Sequence, residues 1–208
     1  AWFVPRRYYR AYCYYTTNGG TTWSQSNSYL QPGPPPNSIS FSDSLHGWIA
    51  GGYSYYEDYG SALWRTTDGG KNWVKQYSPT CHGFWGISAM SDSEAWAVGF
   101  NTILHTTDEG NYWEYQNSGD FTWGITALDT LHLFACAWAG MFIKSADGGN
   151  SWQNINIDSA KGTQLYSIAF VTPETGWIGG AGFLKKTSDG GQTWIDQNPV
   201  GPNQGYYT

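Results

Sequence analysis

The chain has 208 residues, a formal net charge of -6, 12% charged and 18% aromatic residues, with 13 Trp and 16 Tyr. Such aromatic content excludes a disordered chain. The acidic balance, with only four Arg, excludes a general electrostatic grip on a nucleic-acid backbone.

Taken in chain order, the sequence reads as five units, 1–37, 38–83, 84–122, 123–163 and 164–208. The first opens on Ala1-Trp2-Phe3-Val4, passes through Arg6-Arg7-Tyr8-Tyr9-Arg10 and reaches Thr16-Thr17-Asn18-Gly19-Gly20-Thr21-Thr22-Trp23. A proline-rich stretch, Ser24 to Asn37, follows as a connector between units or a covering loop. The second unit has an apolar alternation at Ser38-Ile39-Ser40-Phe41, then Gly47-Trp48-Ile49-Ala50-Gly51-Gly52, then Thr66-Thr67-Asp68-Gly69-Gly70-Lys71-Asn72-Trp73. The third repeats the order with Gly86-Ile87-Ser88-Ala89, Ala95-Trp96-Ala97-Val98-Gly99 and Thr106-Thr107-Asp108-Glu109-Gly110-Asn111-Tyr112-Trp113. The fourth has Gly124-Ile125-Thr126-Ala127, Leu133-Phe134-Ala135-Cys136-Ala137 and Ser145-Ala146-Asp147-Gly148-Gly149-Asn150-Ser151-Trp152. The fifth has Ser167-Ile168-Ala169-Phe170, Gly176-Trp177-Ile178-Gly179-Gly180 and Thr187-Ser188-Asp189-Gly190-Gly191-Gln192-Thr193-Trp194.

Each unit therefore predicts four short strands, A to D, and no helix-length segment appears. In the fifth unit A spans about Tyr166 to Phe170, B Gly176 to Gly180, C Phe183 to Thr187, and D begins near Thr193, with the Trp at its start. Four-stranded units at roughly 40-residue spacing predict an all-β fold, a β-propeller with five recognisable blades. The residues Asn18, Gly20, Trp23, Asp68, Gly70, Trp73, Asp108, Gly110, Trp113, Asp147, Gly149, Trp152, Asp189, Gly191 and Trp194 read as structural. The acid or amide accepts backbone N–H groups of its own hairpin, the glycine takes positive φ, and the Trp packs beneath the hairpin or between sheets. Glu109 stands where four of the units have glycine, a position read as permissive.

These five segments resemble the Asp-box, or BNR-repeat, propellers, whose signature is Ser/Thr-x-Asp-x-Gly-x-Thr/Ser-Trp between strands C and D. The added Gly-Trp-x-x-Gly element resembles the photosystem II stability/assembly factor-like repeat group of secreted bacterial proteins. The resemblance implies the fold over nearly the whole chain and leaves function open, because the repeat builds the scaffold. The first unit lacks strand A, and the chain opens within a repeat. The tail Gly205-Tyr206-Tyr207-Thr208 falls where a further A strand is due, so either it closes a five-bladed ring or the five units are part of a larger propeller.

Candidate binding residues lie where the repeat is broken or decorated. Tyr53, Tyr55, Tyr56 and Tyr59, with Glu57 and Asp58, lengthen the B–C hairpin of the second unit. Trp85, Trp123 and Tyr166 sit at or just before A strands. Arg6, Arg7 and Arg10 concentrate the scarce positive charge. Enzyme motifs are thin. Clustered arginines do not supply the separated triad of sialidases. Asp43, Asp92, Asp129 and Glu174 follow strand A at what read as equivalent places, which points to a turn role rather than to a paired-acid glycosidase site. His46, His82, His105 and His132 have no metal-ligand spacing, no cofactor motif appears, and Cys13, Cys81 and Cys136 are assigned no disulfide.

The reading is a non-catalytic extracellular or cell-envelope scaffold presenting a protein- or glycan-binding face, with self-assembly open and no nucleic-acid partner or transmembrane segment. The alternatives are a carbohydrate-active propeller and an assembly factor for a membrane protein complex.

Overall fold

A computed structural model describes residues 1–5, 11–27, 29–30, 34–52, 60–76, 83–119, 121–157 and 164–197. Among these residues there are five antiparallel sheets. The first has β1 (Trp2–Phe3), β2 (Tyr14–Tyr15) and β3 (Ser24–Gln25). The second has β4 (Pro36–Phe41), β5 (Gly47–Gly52), β6 (Ser61–Thr66) and β7 (Val74–Gln76). The third has β8 (Phe84–Ala89), β9 (Ala95–Gly99), β10 (Thr102–Thr106) and β11 (Glu114–Gln116). The fourth has β12 (Thr122–Ala127), β13 (Leu133–Ala137), β14 (Met141–Ser145) and β15 (Gln153–Asn156). The fifth has β16 (Leu165–Phe170), β17 (Gly176–Gly180), β18 (Phe183–Thr187) and β19 (Ile195–Asp196). Strand order follows chain order in every sheet, as a β-propeller blade requires. The first three blades lie in one compact unit, Ala1–Ser118, and the last two in another, Gly119–Thr208.

Within each unit, cores form between consecutive sheets. In the B strands alternate residues point to opposite neighbours. Ile49 packs with Ala11, Cys13 and Leu30 of the first blade, while Trp48 and Ala50 pack with Phe84, Ile87, Leu104 and Trp113 of the third. In the second unit Phe134, Cys136 and Phe142 meet Leu165, Ile168, Phe170 and Phe183, and the Phe134 and Phe170 rings stack 3.6 Å apart.

The hydrogen bonds show how each box closes its C–D hairpin. A buried hydroxyl, Thr16, Thr66, Thr106, Ser145 or Thr187, accepts the N–H of the second glycine four residues on. It also donates to the Asp or Asn side chain, which accepts the N–H four residues beyond itself. At the same end of the sheet the A–B turn joins in: the carbonyls of Leu45, Ser93, Leu131 and Glu174 accept N–H from Gly69, Glu109, Gly148 and Gly190.

Four expectations change. The box Trp ends the turn rather than opening strand D, which begins one residue later at Ser24, Val74, Glu114, Gln153 and Ile195. Glu109 is not at a permissive position: its φ is +66°, the left-handed conformation that Gly19, Gly69, Gly148 and Gly190 adopt without a Cβ. The four turn acids are not equivalent. Asp43 and Asp129 each accept two backbone N–H bonds, from Leu45 and His46 and from Leu131 and His132. In the third blade Ser91 takes that role, and in the fifth Thr172 accepts one such bond, so Asp92 and Glu174 sit one and two residues out of register. The proline-rich stretch also contributes β3 and the start of β4 rather than being all loop.

Candidate functional site

A sheet with strands in chain order has two unlike ends. The A–B turns and Asp boxes occupy one. The start of strand A and the B–C hairpin occupy the other. At that second end each four-stranded blade has a register shift in strand A, between Pro36 and Ser38, Phe84 and Gly86, Thr122 and Gly124, and Leu165 and Ser167. The bulged residues are therefore Asn37, Trp85, Trp123 and Tyr166. A bulge re-aims a side chain that strict alternation would fix, so the three aromatics singled out by sequence share one backbone device. Asn37 is its fourth occupant and carries no aromatic signal to find it by.

In the first unit Asn37 bridges two blades: its Nδ2 donates to the carbonyls of Gly52 at 3.1 Å and Phe84 at 2.7 Å. Those bonds fix the amide's orientation and leave Oδ1 buried without a hydrogen-bond partner. Trp85, half-buried, holds the same place in the next blade. Tyr53, Tyr55, Tyr56, Tyr59, Arg6, Arg7 and Arg10 lie outside the described residues, as do Cys81, His82 and the tail 205–208.

The second unit assembles four aromatics. Trp123 stacks beside Phe121, with centroids 6.3 Å apart, and meets Tyr166 edge-on at 5.8 Å. Trp138, 40% exposed, also lies 6.3 Å from Phe121. Sequence reading missed Phe121 and Trp138, since neither falls in a repeated motif. Trp138 opens the 3₁₀ turn Trp138–Gly140, in which Ala139 has φ +57°. Such a loop needs support, and it is held on three sides. Trp138 N–H donates to Phe121 O at 2.8 Å, Ile157 N–H to Gly140 O at 3.0 Å, and Asn156 Nδ2 to Ala139 O at 3.2 Å. Tyr166 Oη is anchored on Gln164. The result is a rigid, partly exposed aromatic platform at the end of the fourth and fifth blades.

Among the described residues no comparable acid chemistry is gathered. The hydroxyl of Thr193 holds Asp189 down to about 2, and the His46 ring holds Asp43 there too. Asp108, Asp129 and Asp147 are lowered chiefly by the N–H of Tyr112, the N–H of Leu131 and the hydroxyl of Ser151. These carboxylates are charged turn caps, the opposite of a raised general acid. His105 stacks on Trp96 at 3.8 Å and bonds Glu94 at 3.0 Å, a packed strand residue. Burial pushes the Cys13 and Cys136 thiols up to about 12, and both are free. Among the described residues no group of three His, Cys, Asp or Glu could hold a metal, and no helix is long and apolar enough to cross a membrane.

A cleft of about 240 Å³ lies between the boxes of the second and third blades, lined by Asp68, Asn72, Glu109 and Asn111 around Arg65. Its cation is already engaged. Arg65 pairs with Glu109 at 3.0 Å and donates to Asp92 O at 2.9 Å.

Comparison with known proteins agrees with this architecture. The solved structure "YCF48 bound to D1 peptide" superposes with a TM-score of 0.64 at 22% identity, covering 89% of this chain and 60% of that one. The GH74 enzyme of Niastella koreensis superposes with a TM-score of 0.72 at 14% identity, over 98% of this chain and 38% of that one. The chain has the Asp-box β-propeller fold. Its sequence resembles the photosystem II assembly lipoprotein Ycf48 of Nostoc sp. (strain PCC 7120), 30% identical over 149 residues, 67% of this chain and 43% of that protein. This Asp-box chain thus spans less than half the length of the curated relatives it matches. No protein-family model matches it.

Proposed function

We propose that this Asp-box chain is a non-catalytic, envelope-associated binding scaffold that captures an extended segment of a membrane-protein partner during assembly. The aromatic platform of Phe121, Trp123, Trp138 and Tyr166 carries the reading. Trp138 stands on a loop whose backbone is pinned by three hydrogen bonds, and the other rings stand on or beside strands, so the group loses little entropy on binding, and such anchors dominate protein interfaces. The likeness to Ycf48, an assembly lipoprotein, and to a Ycf48 structure holding a D1 peptide supports this over the glycan reading. It also raises the assembly-factor alternative above a general scaffold.

The test is a fluorescence titration with a peptide panel from extracytoplasmic loops and tails of the host's membrane proteins, in parallel with a glycan array. Trp138→Ala removes the most exposed anchor. Loss of about 2 kcal/mol, roughly 30-fold in Kd, is expected for a bound peptide. Glycan binding without peptide binding, or a peptide whose Kd ignores Trp138→Ala, refutes the proposal.

A further inference from the structure

The cleft between the second and third blades gathers the residues that set this joint apart from the one between the fourth and fifth. Each joint lies inside one compact unit. Strand pairing gives the correspondence. In the second blade Arg65 faces Val74 and Leu63 faces Gln76, as Lys144 faces Gln153 and Phe142 faces Ile155 in the fourth. Arg65 therefore stands at the place of Lys144, Gln76 at that of Ile155, and Glu109 at that of Gly190. In the later joint Ile155 packs against the core, and Lys144 Nζ donates to Gly190 O at 2.9 Å. The earlier joint holds a polar cleft of about 240 Å³ instead.

The fold does not ask for these changes. Glu109 has φ +66° where Gly190 has +70°, a conformation that disfavours any side chain. A residue kept there against its backbone preference points to function rather than to stability. Gln76 lays its amide over Gly110, where an added Cβ would come within 2.8 Å of Gln76 Oε1. A glutamine at the place of a packed isoleucine trades apolar contact for hydrogen-bonding capacity.

The lining decides what fits. Arg65 is 12% exposed, lies over the Trp48 ring at 5.5 Å and pairs with Glu109. Glu109 cancels its charge and Asp68 leaves the described lining net negative, which disfavours an anion. The other groups are interleaved donors and acceptors. Asn72 and Asn111 each spend one amide hydrogen inside their own box, on Asp68 Oδ2 at 2.7 Å and on Asp108 O at 2.6 Å, and keep a second. Glu109 meets Arg65 through Oε2 and keeps Oε1. Such a set matches hydroxyl groups, each of which both donates and accepts. Val74, 65% exposed, adds an apolar wall. The volume falls below the roughly 300 Å³ at which pockets for drug-sized ligands begin, so one ring fits.

We propose that this cleft binds a neutral pyranose, its hydroxyls held by Asn72, Gln76, Glu109 and Asn111 and one C–H face resting on Val74. The inference is independent of the peptide-binding reading, because the cleft lies among Asp boxes and the aromatic platform at the bulged end of other blades.

Titration of the ¹⁵N-labelled chain with free D-glucose, D-galactose, D-mannose and N-acetyl-D-glucosamine tests it. At least one sugar is expected to shift the side-chain amide signals of Asn72, Gln76 and Asn111 to saturation. Gln76→Ile and Glu109→Gly install residues that the molecule already uses at the matching places, so circular dichroism should not change. Each is expected to weaken the sugar roughly 10-fold or more, and Trp138→Ala to leave it unaltered. D-Glucuronate and the open-chain sorbitol should bind more weakly by about the same factor. If no sugar moves these amides, if sorbitol moves them as far, or if the sugar's Kd survives both folded variants, the proposal is overturned. Those results would leave peptide capture at Trp138 standing, and loss of peptide capture alone would leave the sugar site standing.

Discussion

The box hydroxyl should matter more to stability than the carboxylate beside it. Thr66 shows why. Its side chain is buried, and its Oγ1 accepts the N–H of Gly70 at 3.0 Å and the N–H of Asp68 at 3.3 Å while donating to Asp68 Oδ1 at 2.9 Å. Thr66→Val keeps the shape and replaces the acceptor with a methyl. The Gly70 N–H is then buried with no partner, and the van der Waals contact blocks water from taking the place. A buried orphan donor costs about 1–3 kcal/mol, and the second, longer bond adds to it, so a loss of about 2–3 kcal/mol is expected. Asp68 makes shorter bonds, 2.9 Å to Asn72 N and 2.7 Å to Asn72 Nδ2. These lie at an exposed turn, where water replaces the carboxylate. Asp68→Ala should therefore cost about 1 kcal/mol, as a lost helix cap does. Urea denaturation followed by Trp fluorescence and by circular dichroism gives the comparison, and the order of midpoints needs no extrapolation. If Asp68→Ala unfolds at lower urea than Thr66→Val, or Thr66→Val is neutral, the hydroxyl is not the keystone of the hairpin.

Acid should loosen the turns together. Asp43 and Asp189 sit near 2 and Asp68, Asp108, Asp129 and Asp147 are also lowered, so their folded values lie below the unfolded carboxylate range. Their contribution is then full above about pH 4 and is lost as pH falls towards 2; thermal midpoints that stay level from pH 6 to pH 2.5 would contradict this. Glu109→Gly relieves a left-handed residue, worth about 1 kcal/mol, and removes an ion pair to Arg65 whose carboxylate is solvent-exposed, worth about 0–1 kcal/mol. The gain should be small in low salt and approach the full value in 1 M NaCl, and a net loss at high salt would show that the pair, not the backbone, governs the turn. In a Cys81→Ser background, Cys13 and Cys136 should stay unmodified by a thiol reagent at pH 8 until the protein unfolds, because both are buried with thiols near 12; rapid labelling of the native chain would mean the cores between blades open locally.

The fold was legible because its instructions repeat. A hydroxyl, an acid and a left-handed glycine have to stand at fixed offsets for the C–D hairpin to satisfy its own buried N–H groups, so five copies declare five blades. Register was less legible. Asp92 and Glu174 looked equivalent to Asp43 and Asp129 because an acid draws the eye, whereas Ser91 and Thr172 accept the turn N–H groups with a hydroxyl. Glu109 looked tolerated by a loose position, when in fact its carboxylate reaches Arg65 from a conformation its backbone disfavours.

The site was half legible for a related reason. Trp85, Trp123 and Tyr166 stood out as aromatics, but what unites them is the strand A bulge, a backbone feature that places Asn37 beside them in kind. Phe121 and Trp138 belong to no motif at all and come together only because the B–C hairpin folds back on the start of strand A. This separation is physical rather than accidental. The Asp boxes lock one end of each sheet with the same hydroxyl-to-glycine bond, so that end cannot vary without loss of the hairpin. The bulged end is held by bonds specific to each blade, Asn37 to Phe84 in one place and Trp138 to Phe121 in another. Variation is cheap there, and recognition surfaces are built where variation is cheap. A residue that breaks the repeat at the bulged end is therefore better evidence of function than any member of the box.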